Sequence, residues 1–140
     1  MENTLSIEKK KEYLRSYWNC KLEQEILENE IKEFQTSQSA PHHFIESIPG
    51  SRFQKDYSDY ICSLEEKIRK LQRQREQVIQ QYEDIVSLIE SLEDDTEKLV
   101  LRLKYIHGYT LEKIAEKMNY SLRQINNIHK KALLHLILHT

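Results

Sequence analysis

The chain has almost nowhere to turn. Its 140 residues contain two glycines and two prolines, whereas an average chain carries roughly 12% of the two together. Barrels and sandwiches need a tight reversal every few residues, and these two residue types supply most of them, so such folds are disfavoured. With 31% charged residues and abundant Glu, Lys, Gln and Leu, the composition suits long helices. An all-α fold is expected, as one domain or a small domain with a helical extension around a modest core.

The same scarcity excludes a phosphate-cradling loop, because Gly50 and Gly108 stand 58 residues apart and such loops need clustered glycines. Met1 to Glu12 lacks an apolar run like a signal peptide's core, and no stretch approaches the ~18 apolar residues that span a bilayer. A soluble, cytoplasmic protein without membrane partners is expected. Cys20 and Cys62 have no CxxC companion, which fits buried thiols in a reducing compartment better than a disulfide or zinc site. Net charge is −2 overall, but residues 1–95 carry 13 basic and 20 acidic side chains while residues 96–140 carry 8 and 3. The basic segment attracts polyanions that the acidic one repels.

From Ser6, a plausible N-cap, a helical pattern runs to about Gln35. Positions 13, 17, 20, 24, 27, 31 and 34 read Tyr, Tyr, Cys, Gln, Leu, Ile, Phe, with Leu14, Trp18 and Ile26 widening the stripe. Residues 36–50, TSQSAPHHFIESIPG, hold both prolines and one glycine and mark a connector at 36–55. Beyond it, positions 57, 61, 64, 68, 71, 75, 78, 82, 85, 89 and 92 are apolar or aromatic except Arg75. A 3.5-residue period this long specifies a coiled-coil seam. The seam is closed either by an antiparallel hairpin within one chain or by a second subunit. In the hairpin, pairing the polar exceptions Gln24 and Arg75 makes partner numbers sum to about 99, sets Ile7 near Leu92 and carries Tyr57 and Tyr60 past Phe34 to the connector.

After Asp95 the pattern shortens to three capped helices. Thr96 can cap a first helix with inner face Leu99, Val100, Leu103 and Ile106, ending at Gly108 in a left-handed C′ position. Thr110 caps Leu111 to Met118, Asn119-Tyr120 turns the chain, and Ser121 with Gln124 has capping-box spacing. Ile114, Ala115, Met118, Asn119, Ile125 and Ile128 stand at the offsets two steeply crossing helices require, with a small residue at their approach. In the last helix Leu122, Ile125, Ile128 and Ala132 share one side. Arg123, Asn127 and Lys130 lie opposite, with Gln124, Asn126 and Lys131 at the margins. Arg can grip guanine, Asn and Gln can pair with adenine, and Lys neutralises phosphate. Thr110 and Ser121 open helices whose free N–H groups can meet phosphate oxygens. Double-stranded DNA is the expected partner, read by Arg123, Asn127 and Lys130 and held by Thr110, Ser121 and Lys131.

Residues 93–136, EDDTEKLVLRLKYIHGYTLEKIAEKMNYSLRQINNIHKKALLHL, resemble the promoter-reading C-terminal domain of sigma-70-type factors. Shared features are a Leu-Arg-Tyr helix, Gly, a Thr-capped "xEIA"-like helix and a closing "KAL..L". The whole layout resembles phage late-gene transcription activators of the RinA/ArpU type. That resemblance implies promoter binding in a bacterial host and recruitment of host RNA polymerase. Lys113 departs from the frequent Glu, and Asn119 from the frequent Gly.

No nucleophile with base and orienting group can be assembled, so no enzyme activity and no cofactor or metal is expected. His42-His43 read as exposed connector residues. His135 and His139 suit a helix C-terminus, where they face the negative end of the dipole. Leu133, Leu134, Leu136, Ile137 and Leu138 encircle the last helix, so some should meet the N-terminal hairpin or a second copy. The expected organisation is a long antiparallel hairpin, a coiled-coil arm, at 1–95, followed by a tri-helical helix-turn-helix domain at 96–140. A sequence-specific DNA-binding regulator fits this best, with homodimerisation through the coiled coil or the Leu/Ile-rich tail. Two other classes remain open: a small-terminase-like DNA-packaging subunit that forms rings, and a polymerase-binding module that does not read DNA alone.

Overall fold

A computed structural model describes residues 6–37 and 50–138. All elements are helical, and no strand occurs among the described residues. Helix α1 spans Ile7–Ser37, α2 Gly50–Glu90, α3 Asp95–Leu101, α4 Leu111–Met118 and α5 Leu122–His135. Between α3 and α4 the chain continues through a π-helical turn, Arg102–Ile106. The connector is shorter than 36–55, because α1 continues through Ser37 and α2 already begins at Gly50. His42, His43 and His139 lie outside the described residues.

The chain packs as two compact units: Met1–Cys20 with Val78–Thr140, and Lys21–Gln77. The packing therefore does not divide at 95/96, since the base of the hairpin shares a core with the C-terminal helices. In the 21–77 unit α1 and α2 run antiparallel with a thin apolar seam. Ile31 and Leu71 are buried there, and Phe34 stacks on Tyr60 with centroids 5.3 Å apart. Tyr60 thus ends on the Phe34 ring instead of passing it. The two polar exceptions meet through a third residue: Glu28 Oε1 accepts from Gln24 Nε2 at 3.0 Å and from Arg75 Nη2 at 3.1 Å. Those bonds, Gln24's first and Arg75's second, hold the Glu28 carboxyl below its ordinary pKa.

The seam of α2 departs from expectation at some positions. Leu71, Val78, Ile85 and Ile89 are buried as expected, and so is Leu92 just beyond the helix, but Gln74 is buried while Arg75 lies outside. Ile68, Ile79 and Tyr82 stay exposed on the flank. Where α1 alone covers α2, only a narrow stripe is removed from water. On α1, Trp18, Leu22 and Ile26 are also exposed. Neither cysteine is fully buried, and Cys62 is exposed.

The other unit holds two apolar clusters. One joins Leu14, Tyr17, Val78, Ile85, Ile89 and Leu92 of the hairpin to Leu101, Tyr105, Ile106, Ala132, Leu133 and Leu136. Burying a side chain such as Leu101 or Leu133 contributes about 1.5–3 kcal/mol. Ile7 packs against this cluster as well. The second cluster is the helix-turn-helix core, Val100, Ile114, Ala115 and Ile125, with Leu103, Met118 and Ile128 partly buried around it. Helix α3 is thus covered on two sides. Its inner residues are Glu97, Val100 and Leu101, followed by Tyr105 and Ile106, while Leu99 is 47% exposed. The π-helical turn, closed by His107 N–H to Arg102 O at 3.1 Å, carries one more residue per turn and so changes which side chains face inward.

Asp94, not Thr96, caps α3, its Oδ1 accepting from Thr96 N at 2.8 Å and Glu97 N at 3.1 Å. A carboxylate there also faces the positive end of the helix dipole, which favours it over a hydroxyl two residues inside. The Glu97 carboxylate meets His135 Nδ1 at 2.9 Å, so His135 closes α5 against the start of α3. Of the C-terminal tail, Leu133 and Leu136 are buried, whereas Leu134 and Ile137 are exposed.

Candidate nucleic-acid interface

Local chemistry shapes the turn between α4 and α5. Thr110 is extended at φ −71° and ψ 160°, and its Oγ1 accepts from Lys113 N at 3.2 Å. Helix α4 ends at Asn119, the non-glycine residue with positive φ among those described, at 57°. Asn tolerates this left-handed region better than most residues. Tyr120 N then bonds Ala115 O at 3.0 Å. Ser121 closes a full capping box: its Oγ accepts from Gln124 N at 3.1 Å, and Gln124 Oε1 accepts from Ser121 N at 2.9 Å.

Helix α5 has a covered and an open side. Ile125, His129, Ala132 and Leu133 are buried. Leu122, expected among the inner residues, is 41% exposed. The inward residue with no forewarning is His129. Its Nε2 lies 2.8 Å from the Tyr105 hydroxyl. Burial first, then Lys104, Lys11 and Arg15, pushes the His129 pKa down to about 4, while burial pushes Tyr105 up to about 12. The neutral imidazole accepts and the protonated phenol donates, which ties α5 to the π-helical turn.

Thr110, Ser121, Arg123, Gln124, Asn126, Asn127, Lys130 and Lys131 are all exposed. Asn126, Asn127 and Lys130 line a cleft of about 590 Å³ together with Lys104 and, from α1, Glu8, Lys11 and Arg15. Arg123 and Lys131 lie outside that cleft, and Thr110 and Ser121 stand at the starts of their helices. Gln124 is exposed but occupied: its amide oxygen serves the capping box, and bidentate pairing with adenine needs that oxygen. In this structure it serves as a cap.

Lys11, Arg15 and Lys104 were not anticipated as part of this surface. A signal existed, since residues 9–15 read KKKEYLR, but the acidic total of the arm masks that basic run. Lys10, buried at 4% exposure, donates from Nζ to Leu133 O at 2.9 Å. This bond fixes the first turns of α1 beside the end of α5. Burial, then Arg15, lowers the Lys104 pKa, with Glu112 opposing and Lys11 adding to the effect.

A tri-helical helix-turn-helix on its own apolar core, with the open face of its last helix carrying Arg, Asn and Lys, defines a DNA-binding class of domain. Residues 88–136, about a third of the chain, match the family model described as Sigma-70, region 4. The chain therefore carries a sigma-like helix-turn-helix at this end, a DNA-binding and not a catalytic type of domain. Comparisons with curated proteins and with solved structures gave no match. Among the described residues, no helix is long and apolar enough to cross a membrane.

Proposed function

We propose that the protein is a sequence-specific transcriptional regulator, a phage or prophage late-gene activator that acts on promoter DNA with host RNA polymerase in the bacterial cytoplasm. The observation that carries this reading is the exposed row Arg123, Asn127 and Lys130 on a helix locked by its capping box. Arg123 and Asn127 meet base edges in the major groove, and Lys130 reaches the groove wall. Lys131 and the N-termini of α4 and α5 hold phosphates. The oxygens of Thr110 and Ser121 accept from their own helices, which leaves their O–H groups and the first backbone N–H groups for phosphate.

Binding to DNA flanking the gene, measured with and without polymerase, tests the reading. Arg123→Ala relaxes base preference by about 1–3 kcal/mol at one position. Lys131→Ala weakens binding evenly and flattens its salt dependence. Equal binding by wild type and the double variant at physiological salt removes these residues from the interface. Homodimerisation belongs to the same proposal, through the exposed apolar side chains of the hairpin or through Leu134 and Ile137. A solution mass of one or two chains fits a regulator. A ring of eight or more replaces it with a packaging subunit.

A further inference from the structure

The cleft beside α5 is a like-charge site. Lys11 and Arg15 on α1, Lys104 in the π-helical turn and Lys130 on α5 line it with Asn126 and Asn127, and Glu8 is the carboxylate among its lining residues. Glu8 spends its charge on Lys11, 3.5 Å away. One carboxylate against four cations leaves the cleft with an excess of positive charge, and that mutual repulsion favours an added anion. Burial first, then Arg15, holds Lys104 below its usual range, with Glu112 opposing and Lys11 adding to the effect, so the neighbouring cations contribute to that direction without dominating it.

An arm that masked the DNA-reading helix would present acid to base. Residues 1–95 have ample acid, 20 carboxylates, yet the α1 side chains in this cleft are mainly basic. The juxtaposition is built, since Lys10 ties α1 to Leu133 O and Leu14 is fully buried in the core shared with α5. The cations also adjoin Asn126, Asn127 and Lys130, on the side of α5 that faces α1.

We propose that this cleft grips a phosphodiester of the bound DNA strand, with Lys11 and Arg15 of α1 closing on it from one side and Lys104 and Lys130 from the other. The first turns of the arm are then part of the DNA interface. This rests on the DNA-binding reading above and adds a clamp to it. Asn126, which also lines the cleft, supplies a neutral donor to the sugar-phosphate edge, while Asn127 stays with the base edges.

Fluorescence anisotropy with the full chain on duplex DNA, across a salt series, tests the clamp. Lys11→Gln/Arg15→Gln is expected to weaken binding equally on promoter and random duplexes and to reduce the slope of log K against log salt by up to about 0.9, for the one phosphate the cleft neutralises. Lys11→Arg/Arg15→Lys should retain the wild-type slope. A thermal melt unchanged or raised in the Gln variant shows that the fold survives the loss of repelling charges. An unchanged slope in that variant, while Arg123→Ala still relaxes base preference, overturns the clamp and leaves the DNA reading standing. Tighter DNA binding by the Gln variant overturns it in favour of a masking arm. A wild-type chain with no affinity for duplex overturns both. Titration with inorganic phosphate separates a second source of the same chemistry: signal changes at Arg15 and Lys104 at millimolar phosphate, with a wild-type DNA slope in the Gln variant, assign the cleft to a free anion instead.

Discussion

Gly108 is constrained twice over. Its φ of +77° lies in the left-handed region, and a Cβ built there would sit 2.7 Å from Trp18 Cζ2. Backbone strain alone costs roughly 1–2 kcal/mol, and the contact adds to it. We expect Gly108→Ala to lower stability by about 1–3 kcal/mol in urea unfolding. Adding Trp18→Leu should restore the steric part and leave the backbone part, a non-additive pair. His129 gives a second residue-level test. Its folded pKa of about 4 lies below the ordinary 6.5, so between those values the unfolded chain binds the extra proton. His129's contribution to stability is complete above pH 6.5 and is lost as pH falls toward 4. Melting temperatures taken through this window should drop in the wild type and drop less in His129→Phe.

At the scale of elements, α5 holds its shape by its own first turn. Ser121→Ala should cost about 1 kcal/mol of stability. Gln124→Ala should cost less and leave base preference unchanged, because the side chain serves the box. Asn127→Ala should alter preference at one base pair, and a selection from randomised duplexes would separate the two variants. The capping residues Thr110, Ser121 and Gly108 and the turn at Asn119 were legible in the sequence, since each depends on neighbours within a few positions. The cap of α3 was displaced by two residues because Asp94 and Thr96 offer competing oxygens. The π-helical turn was not legible: Arg102–Ile106 has ordinary helix formers, and the extra residue per turn answers to packing on both sides of α3. The seam of α2 was half legible, because Gln74 is buried by its position against α1 despite being polar. Lys11, Arg15, Lys104 and His129 were missed for a further reason. They come from three distant segments, and no local spacing records that they meet.

On the scale of the whole molecule, the charge division at Asp95 and the packing division differ. The apolar cluster takes Ile85, Ile89 and Leu92 from before that point and Leu101, Tyr105, Leu133 and Leu136 from after it. A fragment of residues 96–140 would uncover the latter group, so we expect it to lose cooperative unfolding and to bind DNA weakly. Adding residues 1–20 and 78–95 through a short linker should restore a sharp thermal transition. A fragment 96–140 as stable as the full chain would contradict the shared core.

The bond from Lys10 to the carbonyl of Leu133 spans nearly the whole length of the chain. During synthesis the helix that carries Lys10 emerges long before its partner. The hairpin of residues 21–77 can zip up while translation continues, but the helix-turn-helix must wait until α5 has emerged. A chain stalled before α5 would thus present a folded stalk and an unfinished head.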